Sequence, residues 1–240
     1  MSTLSFDQTI ANRHSNRKFD PNAPVPEAVM QKGLEHATLA PNSSNMQCWE
    51  FIWVHDQAKR AELSRLCLGQ QAASSAQELV VFVTRQDWWK KRVEWHKELI
   101  AQDEAAGKTR GIALRKKYYS VLMPMIYRRD VLGLSTLVRR GFSFFAGLRK
   151  PMYRASGRAG QRIMLHKTCA LAAQNFMMSM SAQGFDTCPM EGFDEKRVKR
   201  MLQLPRAAEV CMIVSVGKGL PEGKWTERRR VPIEEVVRKV

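Results

Sequence analysis

Residues 167–193 read KTCALAAQNFMMSMSAQGFDTCPMEGF, and the rest of the architecture can be worked out around this segment. Its first half places small and apolar side chains at helical spacing, which predicts a long buried helix from about Arg162 to Ser181. Gly184 is typical of a residue that ends a helix. Residues 185–188 are suited to a short strand, which leads into the loop that begins at Pro189. We therefore expect a core helix followed directly by a strand.

The rest of the chain alternates short helical and strand patterns around this core helix. The run Leu79–Thr84 (LVVFVT) is apolar throughout, which predicts a strand buried on both faces. Few strands separated by helices predict a layered α+β or α/β domain. The remaining predicted helices are residues 4–12, 27–38, 59–68 and 195–202, and the remaining predicted strands are residues 49–54 and 210–216.

The composition is globular but strongly basic. The 240 residues are 44% hydrophobic, and 39 Lys and Arg against 23 Asp and Glu give a net charge of +16. Such a charge favours anionic partners, namely nucleic acid, acidic lipid or a phosphorylated cofactor.

The cysteines and the N-terminus give weaker signals. Five widely spaced cysteines without a CxxC pair argue against a disulfide framework or a zinc site, so no metal site is predicted. They favour reduced thiols, with Cys188 as a small buried residue. The N-terminus has no apolar signal core, which predicts a cytoplasmic protein.

Most of the excess charge lies in one middle segment, Trp88–Gly160. It holds 17 Lys and Arg against 5 Asp and Glu, all four Tyr and three of the six Trp. We interpret residues 88–160 as a basic, aromatic-rich helical insertion within a single domain that spans residues 1–240. Its helices are expected to break at Gly107, Pro124, Gly133 and Gly141.

Basic clusters also lie near the two ends of the chain. Residues 13–19 read RHSNRKF, and residues 228–230 are three consecutive arginines. Arginine matches phosphate oxygens with a planar fork of donors, and Ser15 adds a hydroxyl. The pattern therefore predicts an anion held between the chain ends, although basic clusters are more often solvated surface.

These segments, taken in order, resemble the FMN-dependent nitroreductase family over residues 6–84 and 162–240. Asn42 and Cys48 replace the serine and proline that are usual in the family's loop. The resemblance implies an α+β three-layer fold with a central mixed, mainly antiparallel sheet flanked by helices, and a helical insertion. The segments that carry it are RHSNRKF (13–19), APNSSNMQCWEF (40–51), LVVFV (79–83), the stretch 167–193, VCMIVSVGKG (210–219) and RRRVPIEEVV (228–237).

The resemblance also implies FMN bound without a covalent bond at the interface of a homodimer. The phosphate would be held by Arg13, Ser15, Arg228 and Arg230. Arg17 would hold the pyrimidine edge of the flavin, with His14 near the ribityl chain. Ser43 and Asn45 would reach the flavin from the other subunit, and Gln70 and Gln71 would add pyrimidine contacts. Pro189, Met190, Glu191 and Gly192 would pass beside the flavin N5 edge, with Glu191 and Gly192 as the catalytic positions.

The activity that the resemblance implies is that of an oxidoreductase that works in two half-reactions. NADH or NADPH would reduce FMN, and a nitroaromatic, quinone or flavin would then take the electrons. No side-chain general base is required, because the cofactor carries the difficult step. His166 is interpreted as a helix-face residue. Candidate pocket residues, or members of a secondary hydrophobic cluster, are Tyr118, Tyr119, Tyr127, Phe142, Phe144 and Phe145.

The alternative is a non-catalytic protein that uses the basic segment 88–160 to bind an anionic membrane or nucleic acid. Residues 131–150 have two basic pairs beside apolar runs, which would suit a bilayer surface and peripheral attachment to it. Nucleic acid is disfavoured, because no RNP, KH or helix-turn-helix signature occurs. Membrane contact and catalysis are compatible with each other.

Overall fold

The computed structural model describes residues 4–128, 134–151 and 157–240, with the backbone alone described at 134–136, 139, 140 and 142. Outside the middle segment, every predicted helix and strand is present with bounds that differ by a few residues. The helices are α1 (Phe6–Asn12), α2 (Glu27–Thr38), α3 (Gln57–Leu66), α4 (Gln71–Ser74), α5 (Trp89–Ala105), α6 (Ile112–Lys117), α7 (Met123–Tyr127), α8 (Leu134–Gly147), α9 (Arg158–Ala182), α10 (Glu195–Met201) and α11 (Ile233–Val236); the strands are β1 (Trp49–Val54), β2 (Glu78–Arg85), β3 (Asp186–Met190) and β4 (Ala208–Gly217).

The four strands form one sheet in the order β1-β2-β4-β3, and each neighbouring pair is antiparallel. A parallel element enters through a bridge between Ser15 and Thr187, which extends the sheet beyond β3. β2 lies inside the sheet and is buried along almost its whole length. This burial confirms that its unbroken apolar run marks a strand covered on both faces.

Side chains of β2 alternate between two separate apolar cores. Val80 and Phe82 face the core that α2 and α9 cover, whereas Leu79, Val81 and Val83 face the core covered by α3, α4 and α10. Gly33 of α2 allows close packing with α9, because a Cβ there would lie 2.2 Å from Cε of Met180. The α+β class and the three layers predicted from the sequence are therefore confirmed.

A β-bulge interrupts the pairing of β2 with β4. Phe82 pairs with Met212, but the next residue of β2, Val83, pairs with Val210, so Cys211 has no partner in the register. A bulge of this kind turns two consecutive residues toward one face of the sheet. Cys211 and Met212 accordingly both pack against the core on the α9 side.

The middle segment is helical, but two of its predicted breaks are wrong. The chain does break near Gly107, which has a left-handed φ of 75° just after α5. Pro124 does not break the helix: residues 112–127 form one continuous helical run, with a π-turn at Tyr118–Leu122 that ends two residues before the proline. The widened turn makes room for a ring that would clash with the preceding turn of a regular helix.

Gly141 also fails to break its helix, because α8 runs through it. An interior glycine costs a helix only about 1 kcal/mol, and here it faces open space. Gly133, the remaining predicted break, lies outside the described residues. The segment joins the rest of the molecule through a third apolar core, formed by Met46, Cys48, Val93, Met123, Tyr127 and Leu165.

Candidate functional site

The chain ends meet at the open edge of β3. The amide of Asn16 donates to the carbonyl oxygen of Thr187 at 3.2 Å, and the amide of Arg17 donates to that of Gly223 at 3.0 Å. The segment 15–19 is thereby held between β3 and residues 219–223. Two motifs that lie more than 200 residues apart in the sequence thus come to one place.

Asn16 is the side chain that joins these segments. It is 0% exposed. Its Nδ2 donates to the carbonyl oxygen of Leu220 at 3.0 Å, and its Oδ1 accepts from the amide of Lys18 at 3.1 Å. Two glycines make room for it, because a Cβ would lie 2.1 Å from Nδ2 at Gly219 and 1.8 Å from Oδ1 at Gly223. The sequence reasoning missed Asn16, although it lies between predicted site residues.

A cleft of about 320 Å³ opens where the basic motifs meet. It contains five arginines and a single carboxylate, that of Glu227. The guanidinium of Arg228 donates to the carbonyl oxygen of Ile10 at 3.1 Å and also to that of Arg13. These bonds fix the C-terminal segment across the end of α1. The lining residues are Arg13, His14, Ser15, Arg17, Trp225, Thr226, Glu227, Arg228, Arg229 and Arg230.

Trp225 is a lining residue that the sequence reasoning did not single out. The guanidinium of Arg17 lies 4.1 Å from the centre of its ring. This cation–π contact holds the arginine in one orientation. Its position three residues before the arginine triplet was the only hint in the sequence that it belongs to the site. No local sequence pattern links it to Arg17.

The charges in the cleft repel one another. Burial lowers the pKa of Arg13, and the neighbouring charges of Arg228 and Arg230 lower it further. Burial likewise lowers the pKa of His14, followed by the charges of Lys224 and Arg228. A concentrated positive field of this kind is stabilised by an anion, and clustered guanidinium groups with a hydroxyl are the donors that a phosphate accepts.

β3 borders the N-terminal segment through Thr187, but the predicted site residues 189–192 are not among the described residues that line the arginine cleft. Pro189 and the buried Met190 close the strand, and Glu191 and Gly192 follow as an exposed loop. Proline is acceptable there because β3 is an edge strand. Cys188 is buried as predicted, and burial raises the pKa of its thiol while Arg17 and Arg13 oppose that shift.

Gln70 fixes this loop from the other side. Its Nε2 donates to the carbonyl oxygen of Gly192 at 2.6 Å and to that of Cys67 at 3.1 Å. A Cβ at Gly192 would lie 3.0 Å from that nitrogen, so the missing side chain makes room for Gln70. Neither Gln70 nor Gln71 is among the described residues that line the arginine cleft, and the side chain of Gln71 is exposed at the start of α4.

Ser43 and Asn45 lie elsewhere within the chain, on a turn between α2 and β1. Ser43 borders a second, more apolar cleft with Ile126, Tyr127 and Ile163, rather than the arginine cleft. Asn42, the residue that departs from the family pattern, accepts a bond from the amide of Gln47 at 2.9 Å and so closes the turn on itself.

The turn is held in a strained shape by the middle segment. Ser44, Asn45 and Gln47 have left-handed φ values of 56°, 50° and 45°. The hydroxyl of Tyr118 lies 2.7 Å from Oγ of Ser44, and the hydroxyl of Tyr119 donates to the carbonyl oxygen of Ser44 at 3.0 Å. Non-glycine residues persist in this region only when their surroundings fix them.

The aromatic residues of the middle segment divide into two groups. Tyr118, Tyr119 and Tyr127 pack around the turn and the third apolar core, and Tyr127 is fully buried. Phe144 and Phe145 of α8 are exposed instead. The side chain of Phe142 lies outside the described residues. The tyrosines therefore cluster beside Ser44, and Tyr127 also lines the second cleft.

Comparison with known proteins agrees with this architecture. Residues 10–218 match the sequence profile of the nitroreductase family. MhqN of Bacillus subtilis, provisionally named an NAD(P)H nitroreductase, is 25% identical over 232 residues, which are 97% of each chain. A protein of Thermus thermophilus named NADH dehydrogenase is 25% identical over 238 residues, 99% of this chain and 97% of its own.

A solved structure shows the same fold. A provisionally named nitroreductase of Exiguobacterium sibiricum, crystallised in complex with FMN, superposes with a TM-score of 0.69 at 18% identity, over 100% of this chain and 99% of that chain. The resemblance drawn from the sequence motifs is therefore confirmed by the profile that spans most of the chain. On these grounds the chain belongs to the nitroreductase family.

Proposed function

We propose that this protein is an FMN-dependent oxidoreductase that passes electrons from NADH or NADPH to an electron-poor acceptor such as a nitroaromatic, a quinone or a flavin. The observation that carries the proposal is the arginine cleft, where two distant basic motifs meet beside β3. Family membership, the names of the relatives and the FMN in a structural neighbour support it.

The cleft fits the phosphate end of FMN. Arg13, Arg228 and Arg230 surround a space that the hydroxyl of Ser15 also borders. Each charge-assisted hydrogen bond to a phosphate contributes about 1.5–3 kcal/mol. A phosphate dianion would also relieve the repulsion that lowers the pKa of Arg13. His14 borders the same space and would lie near the ribityl chain.

The remaining residues act on the ring system. Bound FMN supplies reversible two-electron chemistry, accepting a hydride from the nicotinamide and returning electrons to the acceptor. Arg17, held by Trp225, would place positive charge at the pyrimidine edge and favour the reduced anion. Gln70 fixes the carbonyl of Gly192 and so orients the Pro189–Gly192 segment, where Glu191 and Gly192 are the proposed catalytic positions.

We propose further that the working form is a homodimer with FMN at its interface. In one chain, Ser43 borders a different cleft from Arg13 and Arg228. Ser43 and Asn45 could act on the flavin held by those arginines if they came from a second subunit. The separation of the two clefts is what supports the dimer.

Absorbance of the purified protein tests the proposed function. We expect a yellow protein whose flavin band bleaches under NADH or NADPH and returns on addition of a quinone or nitroaromatic. In Arg13→Ala/Arg228→Ala the bound FMN should fall at least tenfold. Arg206→Ala/Arg200→Ala changes the net charge equally at exposed positions and should keep its flavin. Wild-type protein that stays colourless after incubation with FMN would end the proposal.

We propose as a second function that α8 attaches the protein to an anionic membrane surface. Within the part of the chain that is described, no helix is long and apolar enough to cross a bilayer. α8 nevertheless exposes a line of large apolar side chains at helical spacing, whereas Ser143 on its opposite side is buried. The exposed residues are Leu137, Val138, Phe144 and Phe145 of α8 and Leu148 directly after it, between 56% and 71% exposed, and Arg149 and Lys150 follow them.

This arrangement is typical of helices that lie in the plane of an interface, with an apolar face in the lipid and basic residues at the headgroups. Cosedimentation with phosphatidylglycerol-containing vesicles at low and high salt tests it. We expect binding at low salt that phosphatidylcholine vesicles do not support, and loss of binding in Leu137→Gln/Phe145→Gln. Leu39→Gln, which alters an apolar residue exposed elsewhere, should bind normally. Absence of binding at low salt, or unchanged binding by the α8 variant, would overturn the proposal.

A further inference from the structure

A cluster of titratable side chains lies where α9 crosses the bulge of β4, apart from the arginine cleft. Arg162, His166 and Cys169 follow one another at spacings of four and three residues, which places them on one face of α9. β4 contributes Glu209 and Cys211 opposite them. The bulge matters here, because it turns Cys211 toward α9.

Contacts connect the cluster into one network. Nε2 of His166 lies 2.9 Å from Oε2 of Glu209, and Nε of Arg162 donates to the same oxygen. The imidazole also acts electrostatically on the thiol of Cys211. Glu209 thus orients His166, whose positive charge lies beside that thiol. A positive charge beside a thiol favours the nucleophilic thiolate.

A second thiol lies beside the first. Cys169 lies one turn of α9 after His166, and it packs in the same apolar core as Cys211. In its thiol form Cys211 also points at the carbonyl oxygen of His166, with Sγ 3.5 Å from that oxygen. Cys211 is partly exposed, whereas Cys169 is fully buried. A small solute therefore reaches Cys211 more readily than it reaches Cys169.

The electrostatics favour the Cys211 thiolate. Interaction with Cys169 lowers the pKa of Cys211 most, and interaction with His166 lowers it as well, while burial and the charge of Glu191 oppose the shift. The same interaction raises the pKa of Cys169. The pKa of His166 is raised mainly by Cys211 and also by Glu209. For two thiols outside the cluster burial is the main effect, and it raises the pKa of Cys48 to about 12 and that of Cys67 to about 11.

We propose that Cys211 is a peroxide-sensitive thiol and that Cys169 is its resolving partner, so that oxidation closes a disulfide between β4 and α9. The Cys211 thiolate attacks one oxygen of hydrogen peroxide or an organic hydroperoxide, the O–O bond breaks, and hydroxide or alkoxide leaves with a proton. The resulting sulfenic acid is attacked by the sulfur of Cys169. The S–S bond forms, and the hydroxyl leaves with the Cys169 proton as water.

Peptide mapping of the native protein after hydrogen peroxide treatment tests this proposal. We expect a disulfide between Cys169 and Cys211 in the wild type. Cys169→Ser should leave Cys211 as a sulfenic acid that dimedone traps, and Cys211→Ser should give neither product. Cys67→Ser, at a buried thiol outside the cluster, is the matched control and should cross-link like the wild type. Circular dichroism confirms that each variant is folded.

Iodoacetamide labelling of the unmutated protein gives a readout that does not depend on any variant. The Cys211 labelling rate should have its pH midpoint below the ordinary thiol value of about 8.5, and the four buried thiols should react far more slowly. In His166→Gln the midpoint should rise toward that value. Equal labelling of all five cysteines, a midpoint that His166→Gln leaves in place, or peroxide products that do not involve Cys211 would each overturn the proposal.

Discussion

Asn16 and Leu220 are joined by a hydrogen bond of 3.0 Å between residues 204 positions apart in the chain. Around this bond lie the two segments that carry the cleft arginines. The side chain of Asn16 is enclosed, so no water replaces a contact that is lost. Together with the backbone bonds of residues 16 and 17, this amide, which does not itself line the cleft, holds the cleft in position.

We therefore predict that Asn16→Ala lowers the free energy of unfolding by about 1–3 kcal/mol, because buried polar partners are left unsatisfied. The affinity for FMN should fall as well, since the segments that carry Arg13 and Arg228 lose their common anchor. Urea denaturation and flavin titration measure the two effects. Asn22→Ala, at an exposed position, should stay within about 0.5 kcal/mol of the wild type.

Gly223→Ala tests the packing around the Asn16 side chain by a change in the C-terminal segment. The added methyl group would meet Oδ1 of Asn16 at 1.8 Å and the amide nitrogen of Lys18 at 2.6 Å. We expect a loss of about 1–3 kcal/mol of stability from this overpacking. Gly141→Ala is the control, because it faces open space inside α8 and should stabilise the helix by about 0.5–1 kcal/mol. Thermal unfolding that ranks the two variants the other way would contradict the assignment.

The homodimer proposal predicts complementation between defective subunits. One variant carries Arg13→Ala/Arg228→Ala, and the other carries Ser43→Asp/Asn45→Asp, whose carboxylates should repel the flavin. A mixed dimer has one site with both defects and one site with neither. Refolding an equal mixture should therefore restore FMN binding that both parents lack. A mixture that binds no more flavin than its parents would argue against a shared site.

His96 gives a prediction about pH. Burial lowers its pKa, opposed by a bond in which Nε2 meets the carbonyl oxygen of Asn45 at 2.8 Å. A folded-state pKa below the unfolded value of about 6.5 means that the unfolded chain binds the proton more readily. The stability due to His96 is therefore present above about pH 6.5 and is lost as the pH falls through the folded pKa.

Urea denaturation of the wild type and His96→Gln at pH 8 and pH 5 measures this contribution. The free energy of unfolding of the wild type should exceed that of the variant by more at pH 8 than at pH 5. Because other groups titrate in both proteins, the difference between the two is the quantity to compare. A difference that grows toward pH 5 would contradict the direction of the pKa shift.

Much of the fold was predictable because its signals are local. Apolar residue patterns alone predict the burial of the strand at Leu79–Thr84 and of the helix that ends before Gly184. The helix breaks that were predicted wrongly also have a physical cause. Pro124 is tolerated because a π-turn precedes it, and nothing in the sequence specifies that turn.

The candidate site divides in the same way. Clustered arginines beside small polar residues identified the cleft, because their chemistry is visible in the sequence. The roles of Asn16 and Trp225 were not visible, since each depends on a partner about 200 residues away. The orientation of Cys211 depends on the register between β2 and β4, and a register slip of this kind leaves no mark in a single sequence.

The tyrosine contacts with Ser44 have a mechanical consequence. The turn that carries Ser43 and Asn45 is joined to the helical run 112–127 by hydrogen bonds of two tyrosine hydroxyl groups. A hydrogen bond of His96 joins the same turn to α5. Movement of those helices would therefore move the turn with them. If Ser43 and Asn45 act on the flavin as proposed, a partner that binds the basic segment would change the geometry at the flavin without entering the arginine cleft.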